Sequence, residues 1–476
     1  MLSVADIRAA VQTGSRDPAA VLAEAAARHE ATHATINALV QPRFVEAAAE
    51  ARETRDGPLA GVPVCVKDCF AVAGLRTTVG LVTRQDAVDE SDAPLVARLK
   101  AAGAIVVGKT NVPQAMMLHE TVNPVWGRTN HPGDASRGPG GSSGGDAAAV
   151  AAGVVPLGLG NDLAGSLRQP AHACGIATIM PRSAVVGTGG AFETLPHLTA
   201  VRPRAGFLAR AVADLRPALA AVGVPAKAAP RPFTIGWWDD AGPIPASAAI
   251  RRAVREAVER LAAAGATVRP LDGRLARDAA WLMLAIVSAA GGADIGRLFG
   301  AERPIPGVAR LLRLARMPRS IRPLVAAVAR LAGRGIEAEA LGRTGPRDDA
   351  GVEELLVVRD ALRKRFANEM AGIDAIVCPV SALPALRHGT AARLVLAAAP
   401  CLLANLLELP AGAVPVTRVR LDEERGRGFS FDPVLRAAAA TDRGSGGLPV
   451  GVQVVGGPGA DEAVVLDVMD VIENGA

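Results

Sequence analysis

The sequence predicts an α/β fold in which a single large β-sheet core is flanked by helices on both faces. Hydrophobic residues make up 50% of the 476-residue chain and charged residues 21%, the balance of a globular protein with a sizeable core. Short apolar runs bounded by glycine and proline alternate with amphipathic segments at helical spacing, the pattern of strands and the helices that cover them. No internal repeat divides the chain, and large α/β enzymes reach this length as one unit, so one domain is expected over 1–476.

Taken in order, residues 1 to about 55 read as an alanine-rich helical arm, with Asp17-Pro18 as a start signal and Val21, Leu22 and Ala25 at helical spacing. GVPVCVKDCF then forms a short apolar strand that carries Lys67 at its end, where the ordinary reading is a charge pointing to solvent. Residues 93–102 predict an amphipathic helix and 104–107 a buried strand leading into GKTN. The match of 103–110 to a phosphate-binding loop is rejected, because its intervening Ala-Ile-Val-Val is a strand and not an amide cradle. The match of 141–145 to G-x-S-x-G is also rejected, since a polar loop and no strand leads into it.

Residues 140–175 concentrate glycines and hydroxyls and read as an active site. Beyond them, a helix is expected near 211–222, a strand over 233–237 and a helix over 248–264. Residues 303–336 hold eight arginines and no acidic residue. Ile321, Leu324, Val325, Val328 and Leu331 share one face there, as in a core-facing helix with a solvated basic side. The sharper alternative is a surface element that meets anionic lipid or a long acyl substrate. A strand over 375–379, a helix-turn-strand over 402–416, a polar mobile connection over 418–447, a strand over 448–455 and a closing helix over 462–472 complete the chain.

Composition excludes several functions. With no tyrosine, a tyrosine acid or nucleophile is impossible. A net charge of +5 with 3% aromatic residues gives neither the field nor the stacking platform for nucleic acid. Five dispersed cysteines without metal spacing fit a reduced cytosol, and a cytoplasmic location is expected. Residues 1–10 carry Asp6 and lack a basic start with an apolar core, so no secretory signal is expected, and no transmembrane helix is expected either.

The candidates for chemistry are Lys67, Ser142, Ser143 and Ser166. His119, His131 and His172 lie in nearby sequence, so a Ser-His-Asp arrangement stays open. A lysine base is the alternative, because burial lowers a lysine from its usual value of about 10.4 toward neutrality.

GVPVCVKDCF, GAIVVGKTNVPQ, GPGGSSGG, LGLGNDLAGSLRQPAHACG, and LPAGAVPV with GLPVGVQVVG together resemble the amidase signature family. The match runs from about 59 to 223 and again from about 374 to 476. KDCF, TNVPQ, PLGLG and LPAGAVPVT are most similar to the fatty acid amide hydrolase branch. The resemblance implies the amidase signature fold, with a single large mixed β-sheet, and a Ser-cisSer-Lys triad. In it Lys67 is the base, Ser142 the bridging serine behind a cis Gly141–Ser142 peptide, and Ser166 the nucleophile that forms an acyl-enzyme.

Amides of Leu163, Ala164, Gly165 and Ser166 match the family's oxyanion hole, and Ser143, Asp162 and Arg168 match supporting residues. Met116, Met117 and Asn161 match the substrate pocket, and 303–336 matches a membrane-binding cap. No cofactor or metal is implied; a homodimer is. Asn161 and Ala164 depart from the family's Thr-Asp-x-Gly-Gly-Ser, and a positive φ at Ala164 would strain the hole. The segment after Gly175 and AGFLAR at 205–210 also depart. The resulting expectation is a serine hydrolase acting on a small-molecule carboxamide, an N-acyl amine or primary amide. Its rivals are an acyltransferase passing the acyl group to an amine, the catalytic component of a tRNA-dependent amidotransferase, and a scaffold with impaired catalysis.

Overall fold

Eleven strands form one mixed sheet in a computed structural model that describes residues 2–52, 56–224, 232–290 and 292–475. In chain order the strands are β1 (Leu39–Pro42), β2 (Pro63–Lys67), β3 (Ile105–Thr110), β4 (Val122–Asn123), β5 (Gly127–Arg128), β6 (Leu157–Asp162) and β7 (Ala177–Met180). They continue with β8 (Arg204–Ala209), β9 (Thr234–Trp237), β10 (Thr267–Pro270), β11 (Ala375–Pro379), β12 (Ala411–Arg418) and β13 (Pro449–Gly456). Strands β4 and β5 pair apart from the sheet, whose order is β1-β3-β2-β6-β8-β7-β12-β13-β11-β9-β10. The first six places come from the chain up to Ala209 and the last five from Thr234 onward, so the two halves of the sequence meet at the β7–β12 seam.

Strands β3, β2 and β6 run parallel, with Lys67 level with Thr110 and Val66 level with Leu159. Their carboxyl ends therefore share one edge, the edge where open α/β sheets bind ligands. Every residue of β2 is buried, and its side chains alternate between two apolar cores. Val64 and Val66 enter one core and Cys65 the other, which is why the strand reads as an unbroken apolar run. Gly160 in β6 is a matter of space: a β-carbon there would lie 2.6 Å from Ser143 Oγ.

Three expectations need correction. The N-terminal arm is not wholly helical: helices Val4–Gln12, Pro18–Ile36 and Phe44–Ala51 are interrupted by β1, which pairs with β3 at the sheet edge, and 53–55 lie outside the described residues. The 418–447 connection contains a helix, Pro433–Asp442. Asp432 caps its first turn by accepting from the Val434 amide at 2.8 Å, and proline occupies the first helical position.

The third correction concerns 303–336, which forms two helices, Pro306–Arg316 and Arg322–Leu331. The apolar face expected to meet the core points outward: Leu324, Val328 and Leu331 are 69%, 58% and 91% exposed, and only Val325 is partly covered. Ala326, Ala329 and Arg322 face inward instead, and the Arg322 guanidinium donates to the carbonyls of Met317 (3.0 Å) and Thr344 (2.8 Å). Small side chains allow the helix to pack closely, and periodicity alone does not tell which of two apolar strips does so.

Candidate active site

Lys67 ends β2 completely buried, not pointing to solvent. Its Nζ donates to Ser142 Oγ at 2.7 Å and to Asn161 Oδ1 at 2.6 Å, with the Asn161 carbonyl at 3.4 Å. Burial lowers the lysine below its ordinary value, which favours the neutral amine. The lysine of GKT behaves differently. Lys109 lies within β3, ion-paired with Asp68 at 3.1 Å and donating to Thr77 Oγ1 at 2.6 Å, so the structure likewise gives no phosphate loop there.

The loop that carries Ser142 has a cis Gly141–Ser142 peptide and leads into helix Gly144–Ala151. Side chains hold it from two sides: Gln169 Oε1 accepts from the Gly141 amide at 3.1 Å, and Thr121 Oγ1 donates to the Gly140 carbonyl at 2.9 Å. Ser143 ties the two serine segments together, since its amide donates to the Ser166 carbonyl at 3.1 Å and its hydroxyl to the Asn161 carbonyl at 3.3 Å.

After β6 the chain turns sharply around Asp162. The Gly165 amide donates to Asp162 Oδ1 at 2.7 Å and the Leu167 amide to Oδ2 at 3.1 Å, while Arg168 grips both carboxylate oxygens at 3.1 Å. Burial alone would raise this carboxyl, but the guanidinium overrides it and holds Asp162 well below the usual carboxylate range.

This geometry revises the expected oxyanion hole. The Gly165 amide is committed to Asp162, whereas no hydrogen bond among the described residues takes the amides of Leu163, Ala164 or Ser166. The turn needs a positive φ at Gly165 (95°) and not at Ala164, so Ala164 imposes no left-handed strain. A β-carbon on Gly165 would come within 2.9 Å of Cys401 Cβ. His119 Nε2 lies 3.2 Å from the Ala164 carbonyl, and burial pushes this imidazole down to about 4, so at neutral pH it is uncharged and donates there.

Ser142, Asn161 and Ser166 open onto one cavity. Met116 and Leu163 form part of its apolar wall, and Phe192, Leu195 and Val201 supply another part. Met117 does not line it; that side chain packs against the core. The other two histidines are structural: His131 Nε2 meets the Ala173 carbonyl at 2.8 Å, and the His172 ring sits 3.0 Å from the carbonyls of Gly451 and Leu383. Among the described residues no hydrogen bond joins a histidine to Ser142 or Ser166, and no group of three or more metal-ligating side chains occurs. All five cysteines are buried and unpaired.

Sequence reasoning missed Gln169 and Asn405 as parts of this site, and it raised His119 only as a partner for a serine, not as the donor to the Ala164 carbonyl. Asn405 accepts from Arg168 at 2.6 Å and donates to Asp162 Oδ1 at 3.0 Å. A buried amide or imidazole carries no spacing signal, because its partners come from distant strands. The second role of Asn161, holding the lysine, was equally invisible.

The amidase family profile matches residues 20–465. The chain is 32% identical over 434 residues to fatty-acid amide hydrolase 1 of Sus scrofa, covering 85% of this chain and 74% of that protein. It is 29% identical over 442 residues to fatty acid amide hydrolase 1 of Caenorhabditis elegans, covering 87% and 76%. Among solved structures, a fatty acid amide hydrolase superposes with a TM-score of 0.84 at 22% identity, over 99% of this chain and 85% of that one. An amidase superposes with a TM-score of 0.77 at 26% identity, over 99% of both chains.

Proposed function

The chain belongs to the amidase signature family and is an amide-hydrolysing enzyme, and from that premise we propose that it cleaves N-acyl amines or primary amides through Ser166, Ser142 and Lys67. The observation that carries this reading is the 2.7 Å hydrogen bond from buried Lys67 to Ser142 at the wall of a cavity that Ser166 shares. Neutral Lys67 takes a proton from Ser142 as Ser142 takes one from Ser166, and Ser166 Oγ attacks the amide carbonyl. The amides of Leu163, Ala164 and Ser166 stabilise the oxyanion. The relay then runs in reverse to protonate the departing amine, and water releases the acyl group from Ser166 by the same base.

Release of amine from N-acyl amines and primary amides tests this directly. The wild type is expected to exceed Ser166→Ala by at least about a thousandfold, the scale of removing a catalytic nucleophile. Equal rates would overturn it. Acyl transfer to an added amine, in preference to water, would favour the acyltransferase reading.

We further propose that the exposed apolar face of helix Arg322–Leu331 makes peripheral contact with anionic membranes. Exposed Arg313, Arg316, Arg319 and Arg330 support this by placing positive charge in the same segment as Leu324, Val328 and Leu331. No single helix among the described residues is long and apolar enough to cross a membrane. The five buried, unpaired thiols support a reducing, cytoplasmic location.

A further inference from the structure

We propose that Glu193 sets the specificity of this site, selecting amides that carry an ammonium group close to the scissile bond over wholly apolar ones. The inference rests on the hydrolase reading above and adds a substrate class to it. Among the described lining residues of the cavity at Ser142 and Ser166, Glu193 is the only charged side chain. An apolar wall with one carboxylate suits an amphiphile with one cation; a purely apolar acyl amide would need no charge there.

The chain fixes where this carboxylate sits. Phe192, the residue before it, is pinned twice: its amide donates to the Cys69 carbonyl at 2.6 Å, and the Arg84 guanidinium lies 4.3 Å from its ring centre. Ala191 in turn bridges to Phe70. Glu193 thus extends from an anchored stretch of backbone at the cavity wall.

Its own partner holds it weakly. Arg202 Nη1 is 3.8 Å from Glu193 Oε1, beyond hydrogen-bonding distance, with the arginine 51% and the glutamate 25% exposed. An ion pair so exposed contributes little, and Arg202 is free to swing into solvent when a cation enters. Discrimination then has two sources. An ammonium gains a charge-assisted hydrogen bond, whereas a neutral isostere covers the carboxylate with apolar surface and leaves it unpaired.

The test uses the purified full chain and matched amides. On the amine side these are the decanoyl amides of 1,4-diaminobutane, pentylamine and 4-aminobutanoate; on the acyl side, 6-aminohexanoyl and heptanoyl anilides. In the wild type the cationic member of at least one set should exceed its neutral partner in kcat/KM by about ten- to hundredfold, the range of one charge-assisted hydrogen bond. The anionic amide should be the poorest. Glu193→Gln should bring the cationic-to-neutral ratio within about threefold of unity, Glu193→Asp should retain the preference, and melting curves check that both variants fold. A wild type that favours the neutral amides, or a preference that survives in Glu193→Gln, would overturn the proposal and leave the hydrolase reading intact. Release of no amine from any substrate, with no fluorophosphonate adduct on Ser166, would overturn both.

Discussion

Lys67 donates to two acceptors at once, and they do different work. In the proposed relay Ser142 Oγ at 2.7 Å is the proton partner, whereas Asn161 Oδ1 at 2.6 Å aims the amine without adding charge. A carboxylate in place of the neutral amide would favour the ammonium form and raise the lysine, opposing the lowering by burial. For Asn161→Asp the acid limb of the kcat/KM profile is therefore expected to move up by about one to three pH units, with at least about a tenfold loss at pH 7. An unmoved limb in a folded variant would contradict the role given to Asn161. Lys67, Ser142 and Ser166 were legible in the sequence because they sit in long motifs. The contacts made around them by Asn161, Gln169 and His119 were not, because these join strands and loops far apart in the chain.

Among the elements, the central strands were legible and the peripheral ones less so. Strand β2 announces itself as an apolar run between glycine and proline, but β8, with small residues and an arginine at its start, carries no comparable pattern. The helix Arg322–Leu331 shows the opposite limit, a clear amphipathic period whose apolar face is the exposed one. Leu324→Asp with Leu331→Asp should accordingly change unfolding stability by less than about 1 kcal/mol, as ordinary surface substitutions do. The same pair should abolish co-sedimentation with vesicles containing anionic lipid. A large loss of stability would restore the core-facing assignment, and unchanged sedimentation would remove the membrane contact.

At the scale of the whole molecule, the seam between the two halves of the sheet is held by buried arginines. Arg168, beside the proposed nucleophile, reaches across to the Cys401 carbonyl (3.0 Å), Gln453 Oε1 (2.9 Å) and Asn405. Arg204 donates to the carbonyls of Leu409 (2.8 Å) and Ala404 (2.9 Å). Site and seam are thus one construction, which explains why a single turn between β6 and the next helix carries so many polar groups. Replacing Arg168 by methionine leaves Asp162 as an unpaired buried charge, and a loss of about 3–5 kcal/mol is expected in denaturant unfolding at pH 7. Because Asp162 is held below its unfolded value, the contribution of the pair is present above about pH 4 and is lost as the pH falls further. The claim on which all of this converges is a lysine-activated Ser166, and intact mass after incubation with a fluorophosphonate tests it most directly. The expected result is a single adduct on the wild type, absent in Ser166→Ala and formed more slowly in Lys67→Ala. No adduct on folded wild type, or an adduct that persists in Ser166→Ala, would contradict it.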